Sequence, residues 1–422
     1  MSTTTQKPSI LMLPWLAHGH ISPFLELAKN LSHRDFHIYF CSTPINLKPL
    51  RDTLLAQNCV PSIQLIDLHL PSDEFPQLPP HYHTTKDLPP HLMSTLKSAF
   101  DSAKSSFFDI LGSLKPDLVI FDYLQPWASV AASELNINAV VFLTMGAAFC
   151  SFFTHSTHCP FNEYPFSALT LPESENYRIA ELMNASANGY KNKERFWECM
   201  ERSSNIVLIK TSRVTEGKYV DYLSELVKRK MVTVGPLLQE PVNKDGDGEK
   251  VMEWLNKKQL SSVVLGEIAY GLELSNAGFI WVLRFHGGED VTIHEALPQG
   301  FLQRIGDRGL VVEGWAPQAE ILGHPSIGGF VSHCGWSSTL EAILFGVSIL
   351  AMPMHLDQPL NAKLLVEIGV GMEVDRGSGG VQEGEIGKSY TTSDGGGKRE
   401  GGQKKCSRIG YEDEREAKRR DG

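Results

Sequence analysis

Several common features are missing from this 422-residue chain, and each absence narrows what it can do. No apolar run is long enough to cross a bilayer, and the start, MSTTTQKPSILMLPWL, lacks a basic stretch followed by a long apolar one. Neither a spanning helix nor a secretory leader is therefore expected, and a soluble, cytoplasmic protein is. Basic excess is also lacking. The formal net charge of -10 gives no positive stripe for nucleic acid and no attraction to anionic lipid, which leaves small molecules or proteins as partners. The seven cysteines, scattered from Cys41 to Cys406, show no paired-ligand spacing, so reduced thiols are expected and the sequons at Asn30 and Asn184 carry little weight. Neither strand-helix turn near the start carries G-x-G-x-x-G, which disfavours a nicotinamide-dependent oxidoreductase.

What is present is alternation. SILMLPWL reads as a buried parallel strand, SPFLELAKNLSHR as a helix opened by Ser22-Pro23, and FHIYFCST as a second strand. PDLVIFDYL and NAVVFLT continue the strands, with the helical PWASVAASEL between them, so residues 1–237 read as a doubly wound parallel sheet. Residues 238–250 are rich in Pro, Gly, Asp and Lys and mark a linker. A second α/β domain over 251–376 follows, with helix VMEWLNKKQ, strands GFIWVLRF, GLVVEGW and IGGFVSH, and a helix after Ser338 whose Leu340, Ile343, Leu344 and Val347 share one face and whose stop lies near Gly346. Two such halves with a cleft between them suit an enzyme holding two substrates. From Gly377 the chain is Gly- and charge-rich, and 377–422 is predicted to be disordered.

The stretch SHCGWSSTLE, Ser332 to Glu341, gathers small hydrogen-bonding groups at a helix start, where backbone amides and the helix dipole favour an anion such as a diphosphate. In its setting, from Trp315 in WAPQAEILGHPSIGGFVSHCGW through Gln358 in AMPMHLDQ, it resembles the signature box of plant UDP-dependent glycosyltransferases, and PWLAHGHISPFLELA resembles their N-terminal acceptor motif. The likeness extends to about Val374. It implies the GT-B architecture of two facing Rossmann-like domains and an inverting, metal-independent transfer. It also implies a monomer with no cofactor beyond the UDP-sugar donor and a small-molecule acceptor.

By that resemblance His333, Gly335, Trp336, Ser337 and Ser338 meet the pyrophosphate, Glu341 the ribose hydroxyls, and Trp315 stacks on uracil with Ala316 and Gln318 beside base and ribose. Asp357 and Gln358 correspond to the pair that bonds the donor sugar, and Gln358 fits glucose. His20 corresponds to the catalytic base, a role suited to a side chain that titrates near neutral pH, and Asp122 to the acid that orients it. Trp15 and Trp127 are expected on the cleft wall. The spacing of His81 and His83 admits a metal pair, but no carboxylate or thiol cluster accompanies it. Cys334 beside His333 does not make a nucleophilic dyad, because strand neighbours face opposite ways. LPPHYHTTKDLPPHL and MPMHLDQPLNAKLLVEIGVGMEV resemble the branch that extends a sugar already on a flavonoid or terpenoid glycoside.

Departures from the family pattern stand beside these matches. Ser337 replaces the usual asparagine and is expected to act as a helix cap, while Ser348 replaces a proline. SSVVL runs into GEIAYGLELS through Gly266 alone, without the usual glycine-serine loop, and the closing amphipathic helices are absent. The Ser348 change is expected to have a small local effect, whereas loss of the loop and loss of the closing helices are each expected to cost several kcal/mol, which weakens donor binding and folding. The alternative reading is accordingly a catalytically impaired relative that binds a nucleotide or glycoside.

Overall fold

The computed structural model describes residues 7–56, 62–159, 163–239, 246–259, 263–266, 277–283, 295 and 297–374. The chain divides into two compact units, one of residues 1–164 and 173–237, the other of 165–172 and 238–422.

In the first unit the apolar runs become seven parallel strands: β1 (Ser9–Leu13), β2 (His37–Ser42), β3 (Ile63–Asp67), β4 (Leu118–Asp122), β5 (Asn138–Leu143), β8 (Ile206–Ile209) and β9 (Lys230–Thr233). β6 (Ser186–Ala187) and β7 (Tyr190–Lys191) form a separate antiparallel hairpin. The sheet order is β3-β2-β1-β4-β5-β8-β9. Strand order thus reverses between β1 and β4, and the crevice beyond the carboxyl ends of those two strands is where open α/β sheets take ligands. The helices are α1 (His18–Ser32), α2 (Pro44–Ala56), α3 (Met93–Ser102), α4 (Lys104–Leu114), α5 (Pro126–Glu134), α6 (Ala147–His158), α7 (Glu173–Asn184), α8 (Asn192–Glu201) and α9 (Arg213–Val227). Ile10, Met12, Phe24, Phe40, Ile120 and Phe142 form one buried cluster between sheet and helices.

The second unit repeats the plan with six strands, β10 (Val263–Gly266), β11 (Gly278–Leu283), β12 (Gly309–Glu313), β13 (Ile327–Ser332), β14 (Ile349–Ala351) and β15 (Gly371–Glu373), ordered β12-β11-β10-β13-β14-β15. All pairings are parallel. Here the reversal falls between β10 and β13, so the turn that leaves β13 stands at the ligand-binding edge. Its helices are α10 (Gly246–Asn256), α11 (Phe301–Ile305), α12 (Gln318–Gly323), α13 (Trp336–Leu344) and α14 (Gln358–Glu367). Leu255, Ile280, Ile321, Phe330, Ile343 and Leu365 fill its core.

Several expectations change. α1 starts at His18 and carries Pro23 inside it, because the chain turns helical directly after Ala17, whose carbonyl accepts from the amides of His20 and Ile21 at 2.9 Å each. α10 starts at Gly246, within the stretch read as linker, and residues 165–172 group with the second unit although the sequence placed them in the first. Gly266 ends β10 and sits in the ladder opposite Trp281, on a strand interior to the sheet. The helix read from Glu267 and the tail 377–422 lie outside the described residues. Trp15 is buried and Trp127 half-buried, and both pack on Phe100, whose ring lies 5.7 Å from that of Trp15 and 5.5 Å from that of Trp127.

Candidate active site

In the first unit His20 lies on the opening turn of α1 and Asp122 ends β4, so the adjacent strands β1 and β4 bring them together. His20 Nδ1 stands 2.7 Å from Asp122 Oδ2. The carboxylate is fully buried and its other oxygen, Oδ1, accepts from the Leu124 amide at 3.3 Å, so the aspartate both closes the turn after β4 and holds the imidazole. A hydrogen on Nδ1 directed at Asp122 leaves Nε2 as the proton acceptor, which is the tautomer that a general base needs. Thr144, at the end of β5, brings Oγ1 to 3.5 Å from the same Nδ1. The sequence reading passed over Thr144, although its place at a strand's carboxyl end is a signal that it could have used. Cys199 lies behind the turn, its thiol pushed well up by burial and then by the charge of Asp122.

In the second unit the backbone reverses sharply between β13 and α13. Cys334 takes a left-handed φ of 66°, costly for a side chain with a Cβ, and its amide is held by Ser332 Oγ at 3.1 Å. Gly335 is the residue before the helix, with no side-chain cap, so Ser337 stands inside the first turn and does not cap it. The first amide bonded to a carbonyl one turn back is that of Thr339, to Gly335 at 3.0 Å. The amides of Trp336, Ser337 and Ser338 therefore precede the helical ladder, at the positive end of its dipole. The Trp336 side chain is buried in the unit, which limits its contribution there to the backbone. His333 folds back so that its Nε2 approaches the space above Gly335.

Gln318 opens α12 and crosses to α13, donating Nε2 to Glu341 Oε2 at 2.6 Å and to Ser338 Oγ at 3.1 Å. Trp315 is 60% exposed and offers its indole face, whereas Ala316 beside it is buried. Asp357 and Gln358 begin α14. Gln358 is buried, its Oε1 accepting from the amides of Met354 and His355 at 2.9 and 3.0 Å, so part of its role is to shape the preceding loop. Buried Asn361, which the sequence reading missed, donates to the Cys334 carbonyl at 3.0 Å and to Asp357 Oδ2 at 2.9 Å, and so ties the start of α14 to the turn between β13 and α13. An asparagine in an otherwise apolar helix face was the only hint.

The paired histidines of HYHTT have structural partners: His83 Nε2 lies 3.0 Å from the Leu78 carbonyl, and the His81 ring lies 4.3 Å from that of Tyr82, tilted by 55°. Among the described residues no group of three or more His, Cys, Asp or Glu side chains forms a metal cluster, and no helix is long and apolar enough to cross a membrane.

Comparison with known proteins agrees with this layout. The chain is 50% identical over 386 residues, 88% of its length and 85% of the relative's, to flavanone 7-O-glucoside 2''-O-beta-L-rhamnosyltransferase of Citrus maxima. It is 50% identical over 382 residues, 86% and 85% of the two lengths, to beta-D-glucosyl crocetin beta-1,6-glucosyltransferase of Gardenia jasminoides. The crystal structure of TcCGT1 in complex with UDP superposes with a TM-score of 0.75 at 26% identity, covering 96% of this chain and 94% of that one. Two Rossmann-like α/β units of this kind make up the GT-B fold. Residues 6–239 match the family described as glycosyltransferase, N-terminal domain, residues 258–379 match UDP-glucoronosyl and UDP-glucosyl transferase, and the chain belongs to the UDP-glycosyltransferase family.

Proposed function

We propose that this enzyme transfers a hexose, glucose by the Gln358 argument, from a UDP-sugar to a hydroxyl on the sugar of a flavonoid or terpenoid glycoside, with inversion at the anomeric carbon. The observation that carries the reading is the 2.7 Å contact between His20 Nδ1 and the buried Asp122 carboxylate. His20 Nε2 takes the proton of the acceptor hydroxyl while its oxygen bonds to the anomeric carbon and the bond from that carbon to the phosphate oxygen breaks. The proton stays on the imidazole, whose new positive charge faces Asp122. A single displacement inverts the centre. The departing UDP gains negative charge, which the amides opening α13, His333 and the Ser338 hydroxyl stabilise.

In the same reading Glu341 accepts from both ribose hydroxyls, Gln318 exchanges its present contact with Glu341 for nucleotide, and Trp315 stacks on uracil with Ala316 alongside. Gly335, Trp336 and Ser337 serve the diphosphate through their backbone, and Asp357 with Gln358 meets the sugar hydroxyls. These steps draw on the chain's own groups and the two substrates. The protein acts as a monomer in the cytoplasm. Both relatives described above are named as transferases of glycoside acceptors, which favours an active enzyme over an impaired binding protein.

The test is to incubate the purified protein with UDP-glucose, UDP-xylose or UDP-rhamnose and a panel of aglycones and monoglucosides, following added sugar by mass spectrometry, with His20→Ala in parallel. Hexose addition to monoglucosides by the wild type, lost in His20→Ala, is expected. Addition only to aglycones overturns the acceptor assignment, and near-normal turnover by His20→Ala overturns the base.

A further inference from the structure

One helix grips the turn that carries Asp122 from behind. On α8, Arg195 and Cys199 lie one helical turn apart and so share a face. The Cys199 thiol donates to the Tyr123 carbonyl at 3.1 Å and lies 3.8 Å from that of Asp122. Arg195 Nη1 donates to the Leu124 carbonyl at 3.3 Å. The carbonyls of Asp122, Tyr123 and Leu124 are consecutive, so two side chains of one helix hold the backbone of the whole turn. Phe196, between them, sets its ring 5.7 Å from that of Tyr123, which in turn lies 5.4 Å from the His20 ring.

The grip is anchored elsewhere. Arg195 is only 2% exposed, and its guanidinium makes a bidentate pair with Asp101 of α3, at 2.8 and 2.6 Å, while Nη2 also donates to the Ala187 carbonyl at 2.8 Å. The planar fork can serve all three segments at once, which a lysine ammonium cannot. Burying a guanidinium is costly, and a pair with Asp101 alone would be satisfied without reaching the turn.

We propose that Arg195 and Cys199 are positioning residues: by holding the carbonyls of the Asp122–Leu124 turn, they set the length and angle of the Asp122–His20 hydrogen bond on which proton removal depends. The proposal rests on His20 as the base. A backbone shift of about 1 Å is enough to break a charge-assisted bond of this length and slow a positioned reaction by orders of magnitude. The charged and titratable neighbours of this arrangement include Tyr123, whose ring faces His20, Glu198, whose charge with those of Asp122 and Arg195 acts on Cys199, Asp101, paired with Arg195, and Lys97, on which Arg195 and Asp101 act, with His18 two residues before His20 on α1.

The experiment uses the full chain with Cys199→Ala, Cys199→Ser and Arg195→Lys, and with His20→Ala as control. Kinetics against pH are recorded with UDP-glucose and a monoglucoside acceptor, and the downfield Nδ1–H proton resonance of His20 is identified by its loss in His20→Ala. Cys199→Ala and Arg195→Lys are expected to lower kcat about tenfold, to move the acid limb of kcat/KM to lower pH and to shift the resonance upfield, with KM for UDP-glucose unchanged. Cys199→Ser, which keeps a donor, restores all three. An unmoved limb and resonance in folded variants overturn the proposal. Should Arg195→Lys fail to fold, Cys199→Ala decides alone, because it removes a single heavy atom. Activity retained by His20→Ala refutes the base assignment instead, and the resonance still reports the grip.

Discussion

Gly335 and His333 occupy one another's space: a Cβ built on Gly335 would lie 2.6 Å from His333 Nε2, a distance that real Cβ atoms essentially never show. The glycine is therefore what lets the imidazole fold back over the start of α13. Because the obstructing atom is the tip of a side chain, Gly335→Ala moves the ring rather than the backbone. A displaced His333 would lose the bond to a phosphate oxygen proposed for it, worth about 1.5 to 3 kcal/mol for a charged partner. Calorimetry should show UDP bound about ten- to a hundredfold more weakly, with little change in melting temperature. Unchanged UDP affinity would remove His333 from the donor site.

Gln318 and Glu341 make a second check on the donor site. The 2.6 Å bond from Gln318 Nε2 holds the Glu341 carboxylate in place before any nucleotide arrives. Glu341→Ala removes the acceptor proposed for the two ribose hydroxyls and is expected to weaken UDP by about ten- to a hundredfold. Gln318→Ala is expected to cost less, since the Glu341 carboxylate proposed to accept from the ribose remains. If calorimetry ranks the two variants the other way, the ribose assignment is wrong.

Asp122→Asn isolates orientation from binding. The amide keeps the shape of the carboxylate but can donate to Nδ1, which places the ring proton on Nε2, where the acceptor hydroxyl must deliver its own. Turnover is expected to fall by at least about a hundredfold while UDP affinity, which the proposed reading assigns to the second unit, stays the same. Retention of more than about half of kcat would show that the tautomer does not matter.

These sites were legible in the sequence to different depths. The apolar runs LVIFD and NAVVFL became β4 and β5 within a residue or two, because buried parallel strands declare themselves by continuous hydrophobicity. Helix starts were less visible. α1 and α13 begin after Ala17 and Gly335, neither of which supplies a side-chain cap, so the usual Ser, Thr or Asp marker is missing and the serines nearby mislead. The contact of Gly335 with His333, the link from Asn361 to Cys334 and the grip of α8 on the Asp122 turn are tertiary relationships between residues whose own neighbourhoods look ordinary. The sequence named the members of the dyad. The structure shows what holds them.

Lys97 gives the molecule a pH signature of its own in stability. Burial, and then the charge of Arg195, lower it to about 8, although Asp101 opposes the shift, and its ammonium donates to Asn192 Oδ1 at 2.7 Å. A folded value below the unfolded one means that the unfolded chain binds more protons between about pH 8 and 10.5, so stability rises with pH across that window and is lost again as pH falls through about 8. Lys97→Met removes this contribution. The wild-type minus variant difference in melting temperature should therefore climb from pH 8 toward 10.5, by a few degrees in all. A flat difference would place Lys97 in water rather than in the interior.

Glu216 extends the same reasoning to the far side of the dyad. It is 1% exposed, sits at a break in α9 where φ is -131°, and accepts from the amides of Ala147 and Ala148 at 2.8 and 2.7 Å. Those amides open α6, so a buried carboxylate caps the positive end of a helix whose own sequence offers only Gly146 before it. Glu216→Ala leaves two amide donors unsatisfied in the interior, and urea denaturation should show a loss of about 2 to 4 kcal/mol. Loosening α6 also loosens the short link back to Thr144, 3.5 Å from His20 Nδ1, so kcat should fall more than UDP affinity does. Glu216→Gln discriminates between charge and shape, since its carbonyl serves one amide while its NH2 faces the other. A stability loss nearly as large as that of alanine is expected, because two donors set against each other are no better than an empty cap.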